Sequence, residues 1–416
     1  MKKIAFYTLG CKLNFAESSY LSNALVDNGF TVAKDGENPD VCIVNTCSVT
    51  DTADRKCRQL IHKIHTQNPN AFIVVTGCYA QVNAAEIAVV EGVDLVLGAK
   101  EKFDIPSLIS RLESKEQFAT VQVGDVRHNR DFTPIFSYGN RTRFFLKIQD
   151  GCDYYCTYCT IPFARGRSRS ASVEDTIRTI REAISKGAKE IILTGVNIGD
   201  FGKGGQERFV DLVRAIDSME EEIRFRISSI EPDLLEDEII EIVSKSKRFA
   251  PHFHIPLQSG SNEVLSLMRR KYKREVFAQK LSKIKDLMPD AFIGVDVIVG
   301  MRGETEELFE ESYEFIKSTP FTELHIFPYS EREGTKALDI KPIVSQEDKK
   351  RRAARLHILS EQRLADFYAS QRGEQRVVLW ETTKKKDKMQ GYTENYLLVE
   401  APLDPLKINE FSSVVF

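Results

Sequence analysis

The chain reads as an α/β protein in three parts, and three observations predict this. Short β-rich runs alternate with helical periods over residues 1–115. The same alternation returns over 141–335. From about residue 372 only β-runs remain. The first pattern predicts a doubly wound parallel sheet, and the second an incomplete (β/α)6 parallel barrel. The last predicts a small β-barrel. A prior of about 150 residues per domain agrees with domains at 1–115, 141–371 and 372–416.

Composition limits the class. Hydrophobic residues make up 42% and charged residues 29%, as in a soluble globular chain. Eight cysteines in so long a chain do not form a secreted disulfide framework, and their spacing points to a reducing compartment. Met1-Lys2-Lys3-Ile4-Ala5-Phe6-Tyr7 begins like a signal peptide, but Gly10-Cys11-Lys12 interrupts the apolar run too early. No apolar run is long enough to span a membrane. The expected location is the cytoplasm. A net charge of −3 excludes a bulk polycation, so any nucleic-acid surface must be built from local patches.

In the first part, strands are expected at 3–8, 41–45, 71–76 and 94–97, with helices at 17–28 and 52–67. Cys11, Cys47 and Cys78 each follow one of these strands closely. Open α/β sheets bind ligands beyond the carboxyl ends of their strands. Three cysteines scattered in sequence should therefore converge on one crevice as a three-thiolate site with a fourth position free. A structural zinc site, or small residues in strand-end turns, are the alternatives. Cys42 lies inside an apolar run and Cys57 inside a helical one, so both are expected in the core. Residues 116–140, with Arg127-His128-Asn129-Arg130-Asp131 and Thr133-Pro134, read as a connection between domains.

In the second part, strands are expected at 143–149, 190–195, 224–230, 252–257, 292–300 and 323–329. Helices are expected at 172–186, 207–219, 234–244, 262–288 and 305–317. Parallel barrels carry their sites on loops at the C-terminal ends of the strands. After the first strand comes Gly151-Cys152-Asp153-Tyr154-Tyr155-Cys156-Thr157-Tyr158-Cys159, with cysteines spaced C-x3-C-x2-C. At this cysteine content, a given cysteine has fellows at both positions with a chance of roughly 4 in 10,000. Thiolates suit an iron–sulfur cluster or zinc. A four-iron cluster held by three cysteines leaves one iron open. The other strand ends offer Thr194, Gly195 and Asn197, then Ser228, Ser229 and Glu231, then Gln258, Ser259 and Gly260, then Asp296 and Gly300, and last Tyr329.

Cys152, Cys156 and Cys159, with Tyr158 before the last, resemble the signature of radical S-adenosylmethionine (SAM) enzymes. The resemblance implies that the open iron chelates the amino and carboxylate groups of SAM, and that one electron cleaves SAM to a 5′-deoxyadenosyl radical. Leu9-Gly10-Cys11-Lys12-Leu13-Asn14, Asn45-Thr46-Cys47-Ser48-Val49-Thr50 and Gly77-Cys78-Tyr79 resemble the N-terminal domain of the methylthiotransferases. In that family an auxiliary four-iron cluster there holds or delivers the inserted sulfur. The resemblance thus implies two [4Fe-4S] clusters, on Cys152, Cys156 and Cys159 and on Cys11, Cys47 and Cys78, with all six cysteines catalytic. It implies SAM contacts from Tyr158, Thr194, Gly195, Asn197, Ser229, Glu231, Gln258, Ser259 and Asp296. The stretch from Pro251 to Ser261 is also similar to a family motif, and its His252 and His254 are expected to be satisfied core or supporting histidines. After Gly300 the family commonly has Phe-Pro, whereas this chain has Met301-Arg302.

The tail, with β-runs at 375–380, 389–400 and 412–416 and Lys384-Lys385-Lys386 in a turn, resembles the RNA-binding TRAM domain. Three basic groups form a candidate polyanion groove: Arg165, Arg167 and Arg169; Arg269, Arg270, Lys271, Lys273 and Arg274; and Lys349, Lys350, Arg351 and Arg352. Gly10-Cys11-Lys12-Leu13-Asn14 and Ala164-Arg165-Gly166-Arg167-Ser168-Arg169-Ser170 most resemble the branch acting on N6-threonylcarbamoyladenosine at tRNA position 37. What this implies is sulfur insertion at C2 of that adenine, followed by methylation from a second SAM. The partners implied are tRNA, an unidentified sulfur donor and an unidentified electron donor, with the enzyme a monomer and no membrane involved. The alternatives are the same chemistry on N6-isopentenyladenosine, a ribosomal-protein aspartate as substrate, or an RNA-binding iron–sulfur sensor. The RNA-like tail counts against the ribosomal protein, and the ordered strand-end residues count against the sensor.

Overall fold

The computed structural model describes residues 2–34, 36–48, 50–111, 119–139, 142–383 and 387–416. The first unit has six strands: β1 (Lys3–Thr8), β2 (Thr31–Val32), β3 (Val41–Thr46), β4 (Phe72–Gly77), β5 (Leu95–Leu97) and β6 (Thr120–Gln122). All run parallel, in the order β2-β1-β3-β4-β5-β6. The helices are α1 (Lys12–Asp27), α2 (Asp51–Gln67), α3 (Cys78–Val82), α4 (Ala84–Ala88) and α5 (Ile105–Arg111). Strand parity sorts them onto two faces. Val41 and Ile43 of β3 pack with Leu21 and Leu25 of α1 and Ile105 of α5. Cys42 and Val44 pack with Cys57, Ile61 and Ile64 of α2. Cys42 and Cys57 are fully buried core residues, as their apolar settings predict. The sheet extends past the expected boundary at residue 115. Its last strand, Thr-Val-Gln, is a short and largely exposed edge, and so carries little hydrophobic signal.

The second unit adds β7 (Ile135–Phe136), β8 (Arg143–Lys147), β9 (Gln149–Asp150), α6 (Ile161–Arg165), β10 (Arg169–Ser170) and α7 (Val173–Ser185). There follow β11 (Glu190–Thr194), α8 (Phe209–Asp217), β12 (Arg224–Ile227), α9 (Asp237–Lys245), β13 (His252–His254), α10 (Asn262–Leu267) and α11 (Arg274–Leu287). It ends with β14 (Phe292–Val299), α12 (Glu306–Ser318), β15 (Glu323–Pro328) and α13 (Gln346–Ser370). Ser172, Thr305 and Ser345 cap their helices by accepting from the third residue onward, as their hydroxyls predict. Strands β8, β11 and β12 pair in parallel, as do β13, β14 and β15. Parallel bridges Phe225↔Phe249 and Ser229↔His254 join the two sheets into one run of six. On each strand one parity faces the helices: Phe144 and Leu146, Ile191 and Leu193, Phe225 and Ile227, Val295 and Val297. The opposite parity lines an inner face. Strand β7 pairs antiparallel with the outer edge of β8, and the start of α1 packs on the inner face. Its Ala16 and Phe15 pack on the inner residues Phe145 and Ile192.

The tail forms β16 (Gln375–Thr382), β17 (Lys388–Thr393), β18 (Leu398–Pro402) and β19 (Phe411–Val415), antiparallel in the order β18-β17-β16-β19. The run expected at 389–400 is two strands, broken by a turn in which Tyr396 has φ 68°. The outer strands β18 and β19 are not paired with each other among the described residues. The expected lysine turn at 384–386 lies outside those residues. The sheet docks on the N-terminal ends of the barrel strands. Arg143 pairs with Glu381 at 2.6 Å, Arg226 donates to the carbonyls of Thr393 and Glu394, and Glu190 pairs with both Arg224 and Arg226. This end is opposite the cysteine loop.

Candidate active site

The strand order of the first unit has its switch point between β1 and β3, where a doubly wound sheet opens a crevice. Cys11 follows β1, Cys47 follows β3, and Cys78 opens α3 after β4. Gly10, at φ 104°, lets the first two meet: a Cβ there would stand 2.7 Å from the Cβ of Cys47 and 3.0 Å from its Sγ. Cys78 is buried and accepts from Arg165 Nε at 3.3 Å. Burial pushes its thiol up, Arg165 pulls it down, and the Cys11 sulfur acts on it as a neighbouring charge. The strand-end cysteines are thus brought together.

The second trio lies on the loop after β8 and β9. Gly151, at φ 73°, cannot be replaced without a clash, because a Cβ would fall 2.0 Å from the Arg167 carbonyl oxygen. The Tyr154 N–H points at Cys152 Sγ and the Ile161 N–H at Cys159 Sγ, each at 3.4 Å. Arg270 Nη1 donates to Cys156 Sγ at 3.2 Å. Burial raises all three thiols, Cys159 to about 12. Ligation needs thiolates, so bound positive charge has to offset that burial. A zinc ion with Zn–S near 2.3 Å holds its sulfurs about 3.8 Å apart. Among the described residues, the trio of ligand atoms within 4.8 Å of one another is His254, Asp296 and His325. Among the described residues neither cysteine trio is drawn in that closely, and thiolate sulfurs are the donors that an iron–sulfur cluster takes.

A buried ionic network spans the two units. Glu17 of α1 is 0% exposed and meets Lys102 at 2.6 Å, Lys147 at 3.0 Å and Arg165 at 3.1 Å. Asp150 meets Lys147, Arg165 and Arg169 at 2.7 to 3.0 Å. The surrounding cations hold both carboxyls well below the usual carboxylate range despite burial. Four cations face two carboxylates here, and the excess positive charge lies under Cys78. Asp150 directly precedes the cysteine loop. Arg165 therefore touches both the auxiliary trio and the base of the second.

The strand-end residues are placed as follows. Gln149 staples the second loop to the cysteine loop, accepting from the N–H groups of Val196 and Asn197 and donating to the Gly151 carbonyl. Asn197 is 3% exposed, and neither atom of its side-chain amide has a hydrogen-bond partner among the described residues. Thr194 Oγ1 donates to the Ile192 carbonyl, and Gly195 packs against Gln149. Glu231 pairs with Arg270 beside Cys156. Ser229 bridges to His254 through the backbone. Gln258 adopts φ 67°, while Ser259 is fully buried against Ser312. Tyr158 packs against the cluster of Val264, Met268, Met301 and Tyr329. Asp296 accepts from His254 at 2.7 Å, and His252 packs between Phe292 and Tyr396. Met301 is buried, and Arg302 pairs with Glu331 at 2.6 Å, so the altered loop is closed by packing.

The three basic groups need correction. Arg165, Arg270, Lys349 and Arg352 are not RNA-facing. The first two serve the cysteines. Lys349 is buried with its ammonium on the Tyr329 carbonyl, and Arg352 pairs with Glu304. The exposed remainder includes Arg167, Arg269, Lys271 and Lys273. Arg269 joins Lys336, Tyr155 and Phe163 around a cavity of about 320 Å³ walled by Cys156 and Cys159. Tyr155 and Phe163 are 42% and 50% exposed and meet edge to face at 6.4 Å.

Two family models match the chain: the radical SAM superfamily over residues 146–316, and the uncharacterized protein family UPF0004 over residues 3–98. The threonylcarbamoyladenosine tRNA methylthiotransferase MtaB of Bacillus subtilis is 41% identical, over 96% of this chain and 90% of that protein. The protein of that name from Aquifex aeolicus is 37% identical, over 95% of each. The tRNA-2-methylthio-N(6)-dimethylallyladenosine synthase of Bacteroides fragilis is 32% identical, over 99% and 93%. Among solved structures, the radical SAM methyltransferase TsrM of Kitasatospora setae superposes with a TM-score of 0.58 at 15% identity, over 79% of this chain and 73% of that one. That likeness concerns the fold.

Proposed function

The chain belongs to the radical SAM tRNA methylthiotransferases, in the threonylcarbamoyladenosine branch, and we propose that its six strand-end cysteines divide the reaction between two facing sites. The enzyme inserts sulfur at C2 of N6-threonylcarbamoyladenosine 37 of tRNA and methylates it, with two [4Fe-4S] clusters and SAM. Cys152, Cys156 and Cys159 would hold the cluster that binds SAM, and Cys11, Cys47 and Cys78 the auxiliary one. When bound, the first supplies the electron that splits SAM and the second supplies the sulfur.

The chain's own residues set the conditions. Arg270 and two backbone N–H groups donate to the sulfurs of the first trio and stabilise them as thiolates. Arg165 does the same for Cys78. Gln149 and Asn197 hold the loop on which SAM would lie, with the Asn197 amide free to bond it. The Glu17–Asp150 network fixes one trio relative to the other, so that base, radical source and sulfur stay in line. The six parallel strands act as an incomplete (β/α)6 barrel. The terminal sheet is read as TRAM-like and RNA-binding. Exposed Tyr155, Phe163, Arg269 and Lys336 give the anticodon loop aromatic faces and cations beside the site, as extruded bases require.

The observation that carries this division is Arg165, which bonds Cys78 on one side and Asp150 on the other. The test is anaerobic turnover by the reconstituted enzyme with SAM, dithionite and tRNA carrying N6-threonylcarbamoyladenosine. Replacing Cys156 by Ala should abolish release of 5′-deoxyadenosine. Replacing Cys78 by Ala should spare that release and abolish sulfur insertion. Loss of 5′-deoxyadenosine on both replacements would reject the division.

A further inference from the structure

We propose that the inner face of the barrel carries an anion-binding subsite, built on Lys12 and His325, that reads the carboxylate of the N6 substituent. The inference deepens the reading above and rests on it. Lys12 immediately follows Cys11 and starts α1, the helix whose Phe15 and Ala16 pack on the inner residues Phe145 and Ile192. Its half-buried ammonium lies within reach of the charges of Asp296, Arg226 and Arg143.

The inner face holds several cations, and those carried by the strands β8 and β12 are matched. Arg143 pairs with Glu381, Arg224 and Arg226 with Glu190, and Lys147 with Glu17 and Asp150. Lys12 has no ion pair or hydrogen bond among the described residues. A cation placed in a low-dielectric channel without a carboxylate is costly unless a ligand supplies one. Asp296 makes no ion pair with Lys12 among the described residues, and its Oδ1 accepts from His254 at 2.7 Å.

His325 stands beside this pair. It faces Asp296 in the strand register, its ring lies 5.0 Å from that of His254, and its ring nitrogens also lack a hydrogen bond among the described residues. Lys12 acts on it as a neighbouring charge. Toward the terminal sheet, Arg226 lies 5.0 Å over the Tyr396 ring and His252 packs on the same ring at 4.4 Å, so that end of the inner face is filled by side chains. A threonylcarbamoyl group ends in a carboxylate and a hydroxyl, which match an ammonium and an imidazole. An isopentenyl group offers neither, and would leave the ammonium unmatched. Since Lys12 adjoins Cys11, the residue reading the N6 group is tied to the auxiliary trio, and C2 and C6, the carbon that carries N6, flank the same ring nitrogen of adenine.

The test uses anaerobically reconstituted holoenzyme without reductant. Binding is measured to two tRNAs that differ only at adenosine 37: threonylcarbamoylated or unmodified. Lys12→Met and His325→Phe are compared with Lys12→Arg, and iron content and visible absorption verify cluster assembly. A hydrogen-bonded charge predicts that Lys12→Met loses about 10- to 100-fold in affinity for the modified tRNA. Binding to unmodified tRNA should change less than about threefold, and Lys12→Arg should restore most of the preference. An equal loss on both tRNAs would overturn the subsite, as would an unchanged preference. One non-iron divalent ion per chain, lost in His325→Phe, would overturn it in favour of a metal site. If wild-type enzyme methylthiolates the modified tRNA but binds both equally, only the subsite fails. If it methylthiolates neither, the reading beneath it fails too.

Discussion

Replacing Glu17 by Gln tests whether the buried network holds the two trios in register. Glu17 is fully buried and meets Lys102, Lys147 and Arg165 at 2.6 to 3.1 Å. Glutamine keeps the volume and removes the charge, leaving Asp150 alone against four buried cations. Breaking a buried pair on one side costs about 3–5 kcal/mol, because the remaining charges are left uncompensated. That cost falls on contacts between the first unit and the barrel, so it should appear as local opening. At about 1.4 kcal/mol per tenfold, amide exchange should speed by about 10² to 4 × 10³ in α1 and β8. Hydrogen exchange followed by peptide mass spectrometry reads this directly. Peptides of β16 and β17, at the other end of the barrel, should not change. Acceleration of less than tenfold, or equal acceleration in the terminal sheet, would refute the network as the clamp.

Further outcomes follow from the same contacts. Arg270→Ala leaves the largely covered Glu231 without its partner and Cys156 without its donor, so iron content should fall by about half and 5′-deoxyadenosine release should cease. Full iron content in that variant would remove Arg270 from the site. The Glu190 carboxyl is held down to about 2 by Arg226 and Arg224 despite burial, from an ordinary 4.5. A depressed carboxyl stabilises the fold above its ordinary value and loses that contribution as pH falls toward its folded value. Docking of the terminal sheet should therefore weaken between about pH 4.5 and 2, and amide exchange in β16 at stepped pH measures it. A Glu190→Gln variant should lack that dependence. For the exposed basic group, Arg269→Ala with Lys271→Ala should flatten the salt dependence of tRNA binding by about 1 to 2 units of log–log slope. An unchanged slope would place the RNA elsewhere.

The six cysteines were legible because their signal is local. Cys11, Cys47, Cys78 and Cys152 each lie within three residues of a strand's end, Cys156 and Cys159 follow on the same loop, and topology decides which strand ends are neighbours. The β-rich runs of the barrel were legible for the same reason. The basic residues were not. Arg165, Arg270 and Arg352 sit in charge runs that read as solvated faces, and what buries them is a carboxylate far away in the chain: Glu17, Glu231 and Glu304. Glu17 itself occupies an ordinary helical position, and only the docking of α1 onto β8 makes it buried. A hint was present in Asp150, an acid directly before Gly151-Cys152, which no solvated reading explains. Strand β6 escaped notice because three residues at an exposed edge bury too little to leave a pattern. Trp380 and Met389 mark the terminal core, but the turn at Tyr396 has no glycine to announce it.

The most direct test of the central claim is nucleoside mass spectrometry on tRNA from cells with and without this gene. The account predicts that 2-methylthio-N6-threonylcarbamoyladenosine disappears and its unthiolated parent accumulates. If that nucleoside is unchanged while the isopentenyl nucleoside loses its methylthio group, the substrate assignment, and the anion subsite with it, is contradicted.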